Sequence, residues 1–263
     1  MALGVPARSA GTINGITTAV RELYRFLVLH GRTDGSVAAR LSARQLSKRT
    51  VKRVPKHLRV EQATTLLGAC GCDRDRLLVL LLWRCGLRLS EALGLRREDL
   101  HLLASSTHVG CEIPGAHVHV IRRESNDNGA VAKSRWPRVV PASAEVADAY
   151  AAYRWERQDV VGAAGNDLVF VNLTAGKVGA GWTPASVEDL FRRLSRRIGF
   201  RARPHMLRHS FGTELTEAGV ALDVVQMLMG HAWISSTQVY VHPSWERMRT
   251  AVDRLSTTTA VSS

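Results

Sequence analysis

The chain has 263 residues, of which 45% are hydrophobic, and its formal net charge is +13. This length and composition are enough for one large globular domain or two of ordinary size. The excess positive charge favours a polyanionic partner, either a nucleic acid or an anionic membrane surface.

The sequence contains no segment that suggests insertion into a membrane. The longest apolar run, residues 77–83, is much shorter than the roughly 20 residues that span a bilayer. The N-terminus lacks the apolar core of a signal peptide. We therefore expect a cytoplasmic protein with no membrane partner.

The cysteines indicate neither a metal site nor a disulfide framework. Cys70, Cys72, Cys85 and Cys111 include no C-x-x-C pair. We expect all four to be ordinary thiols in a reducing compartment.

The positive charge is concentrated in the N-terminal part of the chain. Residues 1–60 contain 12 lysines and arginines against two acids, and so carry +10 of the net charge. This basic stretch is either a solvated linker or a segment that lies along DNA and releases counterions from its phosphates. Its densest part contains no acid and holds Arg40, Arg44, Lys48, Arg49, Lys52, Arg53, Lys56 and Arg59.

The first elements in chain order are helices. Apolar residues at three- and four-residue spacing predict a helix over residues 12–30, and a short helix around residues 37–41 follows. The basic stretch then indicates an interdomain linker, and another helix begins near Val60. The run over residues 77–83 is apolar on every side, so it is predicted to lie deep in a core, and it closes at Gly86.

The pattern changes to strands between residues 113 and 141. Residues 117–121 alternate histidine with valine and isoleucine, and residues 138–141 read Arg-Val-Val-Pro, which predicts a second short strand. Residues 126–129 read Asn-Asp-Asn-Gly, which is typical of a turn. These features predict a β-hairpin.

Helices return in the C-terminal half. They are predicted over residues 143–160, from a Thr183 cap and Pro184 to Gly199, over residues 204–217, and over residues 221–229. Residues 256–263 are predicted to form a disordered tail.

The first segment that suggests chemistry begins a helix at Pro204. His205 and Arg208 are three residues apart and so share a helix face, whereas Met206 and Leu207 can turn into the core. An imidazole and a guanidinium near a helix N-terminus suit a phosphate, because free N–H groups and the helix dipole favour negative charge there. An ordinary helix start with surface side chains explains the same pattern.

The second segment follows the buried helix. Gly86 permits a tight turn, Ser90 can cap the next helix, and Glu91 is close enough in sequence to orient Arg88. The alternative interpretation is a structural ion pair at a helix start.

Two weaker signals complete the set. His231 follows Gly230, a predicted helix end, and Tyr240 comes nine residues later; both side chains are equally well explained by packing. Lys133 lies in an arm of the predicted hairpin, where a lysine is usually only a solvated charge.

Taken together and in this order, these segments resemble the catalytic domain of the tyrosine recombinase, or phage integrase, family. The G-L-R-x-S-E motif is present at residues 86–91, the hairpin lysine at 133, and H-x-L-R-H at residues 205–209. The L-x-G-H motif is present at residues 228–231 and the tyrosine at 240. The resemblance covers roughly residues 55–255.

The resemblance implies a mainly α fold (α+β), helical with a small antiparallel sheet. It implies a partial, shortened helical core-binding region over residues 1–45, a basic linker over 46–58, a catalytic domain over 59–255 and a tail over 256–263. The C-terminal stretch 244–255 resembles a helix that family members pass to a neighbouring subunit, although packing on its own domain is an open alternative.

The resemblance also implies a function and a set of catalytic side chains. Two arginines would clamp the scissile phosphate, a glutamate would support the first of them, and two histidines would transfer protons. A lysine would be the general acid and a tyrosine the nucleophile. In chain order these residues are Arg88, Glu91, Lys133, His205, Arg208, His231 and Tyr240.

The implied partners are double-stranded DNA and, on DNA, three further copies of the chain in a homotetramer. No metal or other cofactor is implied, and the sequence does not reveal accessory proteins. A nicking and closing activity like that of a type IB topoisomerase would use the same residues. A DNA-binding relative without catalysis is the alternative from another functional class.

Overall fold

The computed structural model describes residues 9–37, 56–123, 125–131, 137–161, 165–230 and 245–258. The chain divides into two compact units, Met1–Val54 and Pro55–Ser263. In the first unit, helix α1 (Ala10–Leu29) begins where the Ser9 hydroxyl accepts a hydrogen bond from the Thr12 N–H. The predicted helix around residues 37–41 lies mostly outside the described residues, as does most of the basic stretch.

The second unit is mainly helical. Its helices are α2 (Val60–Gly68), α3 (Asp73–Arg84), α4 (Leu89–Leu93), α5 (Ala144–Val161), α6 (Pro184–Ile198), α7 (Pro204–Glu217), α8 (Leu222–Met229) and α9 (Trp245–Thr258). The apolar run of α3 lies at the centre of the core, as predicted, with every residue from 77 to 83 at most 1% exposed, and it packs against α5 and α7. None of the helices in the described ranges is both long enough and apolar enough to cross a bilayer.

A small antiparallel sheet completes this unit. Its strands are β1 (Leu100–His101), β2 (His117–Val120) and β3 (Arg138–Pro141), in the order β1-β2-β3. The pairing of β2 with β3 and the turn at residues 126–129, closed by the Gly129 N–H on the Asn126 carbonyl, confirm the predicted hairpin. Strand β1 was not predicted, because two residues are too few to show an alternating pattern.

Most helix ends fall where the sequence places them. The Thr183 hydroxyl caps α6 by accepting the Ser186 N–H, and Gly199 ends that helix in the left-handed conformation. The predicted capping role of Ser90 is wrong, because Arg88 occupies the N-cap position and Ser90 lies inside α4.

The C-terminal helix differs from the expectation of a tail over residues 256–263. Helix α9 continues to Thr258, so residues 256–258 are helical. Val252 is 1% exposed and α9 packs against α7, α8 and β3 of its own unit in the single chain. Residues 259–263 lie outside the described part of the chain.

Candidate active site

The turn after α3 positions the first arginine of the site. Gly86 has a φ of +61°, and a Cβ at this position would lie 2.3 Å from the Phe211 ring. Only glycine satisfies both the left-handed backbone and the close approach of the ring. The chain then enters α4, where Arg88 is the N-cap residue and Glu91 is the third residue of the helix.

The carboxylate of Glu91 is the centre of the site. Its side chain is completely buried, and it accepts hydrogen bonds from the Arg88 backbone N–H at 2.8 Å and the Arg88 guanidinium at 2.7 Å. The guanidinium of Arg138 donates to both carboxylate oxygens, at 3.1 and 2.7 Å. Arg208 lies 3.9 Å from the same carboxylate. One acid therefore holds three arginines from three distant parts of the chain.

The C-terminal end of α8 binds the same three arginines from another side. The carbonyl oxygens of residues 228, 229 and 230 accept hydrogen bonds from Arg138, Arg208 and Arg88, respectively. A helix leaves its last carbonyls without partners inside the helix, and its dipole places partial negative charge there. These carbonyls orient the guanidinium groups without adding a full negative charge.

The electrostatics keep Glu91 and Arg208 ionised at pH 7. Burial alone would raise the pKa of Glu91, but the hydrogen bonds and charge of Arg138, together with Arg88, lower it to about 2. Burial and the nearby charge of Arg88 lower the pKa of Arg208 to about 9, which leaves it protonated at pH 7. Three cations against one carboxylate leave an excess of positive charge, which suits an anionic ligand.

The two side chains predicted to share one face of α7 differ in exposure. His205 is exposed at the second position of the helix, whereas Arg208 is only 7% exposed and also donates to the Gly86 carbonyl. Met206 and Leu207 are buried, as predicted. The arginine turns inward because Glu91 and backbone carbonyls offer acceptors there.

The structure brings together Arg88, Glu91 and Arg208 among the residues singled out from the sequence. Lys133, His231 and Tyr240 lie outside the described residues. So do most of the candidate DNA-binding side chains of the basic stretch: Arg40, Arg44, Lys48, Arg49, Lys52 and Arg53. Lys56 is described and exposed.

Sequence reasoning missed one member of the site, Arg138. It is the first residue of β3 and pairs with Val120 across the hairpin. No spacing connects it to Glu91, which is 47 residues earlier. The available signal was a basic residue at the start of a strand that otherwise contains only apolar residues.

Comparison with known proteins identifies relatives of this chain. The phage integrase family matches residues 56–247. Transposase A from transposon Tn554 of Staphylococcus aureus is 32% identical over 206 residues, which are 78% of this chain and 53% of the transposase. The tyrosine recombinase XerC of Azotobacter vinelandii is 30% identical over 258 residues, which are 96% of this chain and 76% of that recombinase. The chain thus spans about half the length of the transposase.

Solved structures show the same fold at lower identity. The Tn1549 transposon integrase in complex with a circular intermediate DNA superposes with a TM-score of 0.62 at 19% identity, covering 95% of this chain and 80% of that one. The XerA recombinase gives a TM-score of 0.55 at 22% identity, covering 91% and 83%. Because the family match includes most of the chain and contains the whole arginine cluster, this chain belongs to the phage integrase family of tyrosine recombinases.

Proposed function

We propose that this protein is a site-specific DNA recombinase that cleaves and rejoins strands through a covalent 3'-phosphotyrosine intermediate. The observation that carries the proposal is the convergence of Arg88, Arg138 and Arg208 on the single carboxylate of Glu91. Such a cluster has more positive charge than its own acid neutralises, and a DNA phosphate would supply the missing negative charge.

Two of these arginines would bind the scissile phosphate directly. Arg88 is the most exposed of the three, with 26% of its side chain accessible, and its guanidinium is held at two points by Glu91 and the Gly230 carbonyl. Arg208 is fixed by two backbone carbonyls. Guanidinium groups fixed in advance stabilise the charge that develops on the non-bridging oxygens without reorganising during the reaction.

Arg138 would be a positioning residue. It is 7% exposed at its side chain and acts on the buried carboxylate rather than on the ligand. A hydrogen bond to the Leu228 carbonyl holds Arg138 in place. Its two hydrogen bonds to Glu91 then fix the carboxylate that orients Arg88.

The chemical step proposed here is an in-line displacement at phosphorus. The Tyr240 oxygen forms a bond to phosphorus and the bond from phosphorus to the 5'-oxygen breaks. The phenol proton passes to His205 or His231, and Lys133 gives a proton to the 5'-oxygen. A free tyrosine has a pKa near 10, so a cluster of cations that favours the phenolate is needed for attack at pH 7. Attack by a 5'-hydroxyl reverses the step and needs no ATP.

The proposal extends to the partner and the assembly. Residues 59–255 would form the catalytic domain, and the helical region 1–45 and the linker 46–58 would contact duplex DNA through their basic side chains. The Tn1549 relative was solved with DNA, which supports duplex DNA as the partner. Recombination between two sites would require a homotetramer on DNA, and a DNA substrate would place the activity in the cytoplasm.

A nicked suicide duplex tests the proposal, because loss of a short fragment prevents rejoining and traps the covalent adduct. We expect the natural protein and Tyr150→Phe to form a protein–DNA adduct and Tyr240→Phe to form none. Tyr150 is a matched control because it lies on α5, outside the arginine cluster. Binding of DNA without any adduct in the natural protein would overturn the proposal in favour of a non-catalytic DNA-binding protein.

The reaction products then separate recombination from simple relaxation. Two duplexes with different end labels should yield exchanged strands. Relaxation of supercoiled DNA with no strand exchange would instead support an activity like that of a type IB topoisomerase.

A further inference from the structure

Four side chains with metal-binding atoms meet at one end of the small sheet, on a part of the structure that the proposed phosphoryl transfer does not use. His101 lies on β1, Cys111 in the connection between strands, and His117 and His119 on β2. One nitrogen or sulfur atom from each lies within 4.8 Å of the other three. We propose that these four residues bind a structural zinc ion.

The distances between the ligand atoms fit a tetrahedron around zinc. The Nε2 atoms of His117 and His119 are 3.1 Å apart, and the Cys111 sulfur lies 3.3 and 3.6 Å from them. Zinc–nitrogen bonds near 2.0–2.1 Å and a zinc–sulfur bond near 2.3 Å give tetrahedral edges of about 3.3 Å between nitrogens and about 3.6 Å from nitrogen to sulfur. Three of the four ligands therefore already lie at coordinating separations.

In His117 and His101, the ring nitrogen that faces away from the cluster donates a hydrogen bond to a backbone carbonyl. This hydrogen bond determines which nitrogen of each ring faces the ion. The Nδ1–H of His117 donates to the Gly115 carbonyl at 2.6 Å, and the Nε2–H of His101 donates to the Glu98 carbonyl at 3.0 Å. A neutral ring that donates through one nitrogen presents a lone pair on the other, which is the usual second contact of a zinc-binding histidine.

The second ring nitrogen of His101, Nδ1, provides an independent observation. This Nδ1 atom is buried and has no hydrogen-bond partner among the described residues. A buried lone pair without a partner is unfavourable, because it has lost its hydrogen bonds to water. A metal ion between the four side chains would satisfy it.

The chemistry of the ligands selects the metal. Three imidazoles and one thiolate form a mixed nitrogen and sulfur set, which zinc prefers, and four protein ligands leave no open position for catalysis. On binding, the Cys111 thiol loses its proton to solvent and the sulfur forms a bond to zinc. The ion would be structural and separate from the arginine cluster.

The location suggests what the ion would stabilise. His117 pairs with Pro141, at the opposite end of β3 from Arg138. The first residue of α9, Trp245, packs edge-on against the His117 ring and donates from its Nε1 to the Pro114 carbonyl at 3.0 Å. Zinc would therefore join β1, the following connection and β2 into one support for the start of α9.

The sequence expectation of ordinary thiols and no metal is revised by this proposal for Cys111 alone. Cysteine spacing gave no signal because the site has only one cysteine, and its ligands are spread over 19 positions. The H-x-H pair at residues 117 and 119 was the signal available, since alternate residues of a strand face the same side.

The test uses the full chain without a histidine tag, because a tag binds the same metals. Purified protein should contain one equivalent of zinc. Cobalt in place of zinc should give the visible bands of a tetrahedral site and a thiolate-to-cobalt charge-transfer band. Cys111→Ser and His119→Gln should each lower the affinity for cobalt at least about 100-fold, because each removes a ligand.

Matched controls separate ligand loss from general damage. Cys72→Ser removes a half-buried thiol and His108→Gln an exposed imidazole, both outside the cluster, and both variants should keep the metal and the cobalt spectrum. If the folded natural protein binds neither zinc nor cobalt, or binds cobalt with no thiolate band, the proposal is overturned. This readout does not involve DNA cleavage, so it stands apart from the test of recombination.

Discussion

Both terminal nitrogens of Arg138 donate hydrogen bonds to the carboxylate of Glu91, although the two residues are 47 positions apart. Glu91 is fully buried, and the same carboxylate also binds Arg88, the arginine proposed to contact the phosphate. The hairpin is therefore coupled to the proposed phosphate clamp through one acid.

Glu91→Gln should destabilise the protein strongly. The substitution leaves Arg88, Arg138 and Arg208 near each other without a counter-charge, and breaking a buried ion pair costs about 3–5 kcal/mol. Urea unfolding measures this loss. The matched control is Glu98→Gln, whose side chain is 73% exposed in its pair with Arg123, and it should change the free energy of unfolding by about 1 kcal/mol or less. Equal losses in the two variants would contradict a central role for Glu91.

The same carboxylate predicts a loss of stability in acid. Its pKa of about 2 in the folded protein lies below the ordinary value of 4.5, so the unfolded chain takes up the proton first as the pH falls. The stability that Glu91 contributes is fully present above about pH 4.5 and disappears as the pH approaches about 2. Free energies of unfolding measured across this range should fall more steeply for the natural protein than for Glu91→Gln. If the free energies of unfolding of the two proteins fell in parallel with pH, Glu91 would not be the group that determines stability in acid.

Arg88→Lys should slow cleavage while retaining DNA binding. Lysine keeps the charge but cannot hold Glu91 and the Gly230 carbonyl while presenting a planar fork to phosphate. We expect the rate of covalent adduct formation at saturating DNA to fall at least about 100-fold. The control is Arg97→Lys, at an exposed position shortly after α4, which should leave that rate nearly unchanged. A small effect of Arg88→Lys would show that charge alone is sufficient at this position.

Gly86→Ala should disrupt the turn that leads to Arg88. The new methyl group would meet the Phe211 ring at 2.3 Å, in addition to the strain of a positive φ. Backbone strain and overpacking together predict a loss of about 2–5 kcal/mol in the free energy of unfolding. Gly110→Ala has a similar φ of +78° but open space around its Cβ, so it should lose only about 1–2 kcal/mol. Similar losses would show that the ring contact is unimportant.

Local patterns in the sequence predicted the elements well. The apolar run of α3, the Thr183 cap, the glycine at the end of α6 and the β2–β3 hairpin all depend on neighbouring residues. Even the pairing of Arg88 with Glu91 follows from their spacing of three within one helix start. Predictions were wrong where two neighbouring residues could occupy the same position. Arg88, rather than Ser90, is the N-cap residue of α4.

The sequence by itself determined most of the helical and extended segments and the motifs that relate the chain to its family. Only the tertiary structure decided that Arg138 joins Glu91, that Arg208 turns inward, and that His101, Cys111, His117 and His119 meet. The physical reason is that periodicity and capping act over a few neighbouring residues. Contacts between distant residues depend instead on how the whole unit packs, because a buried charge is stable only where packing brings a partner to it, often from another element.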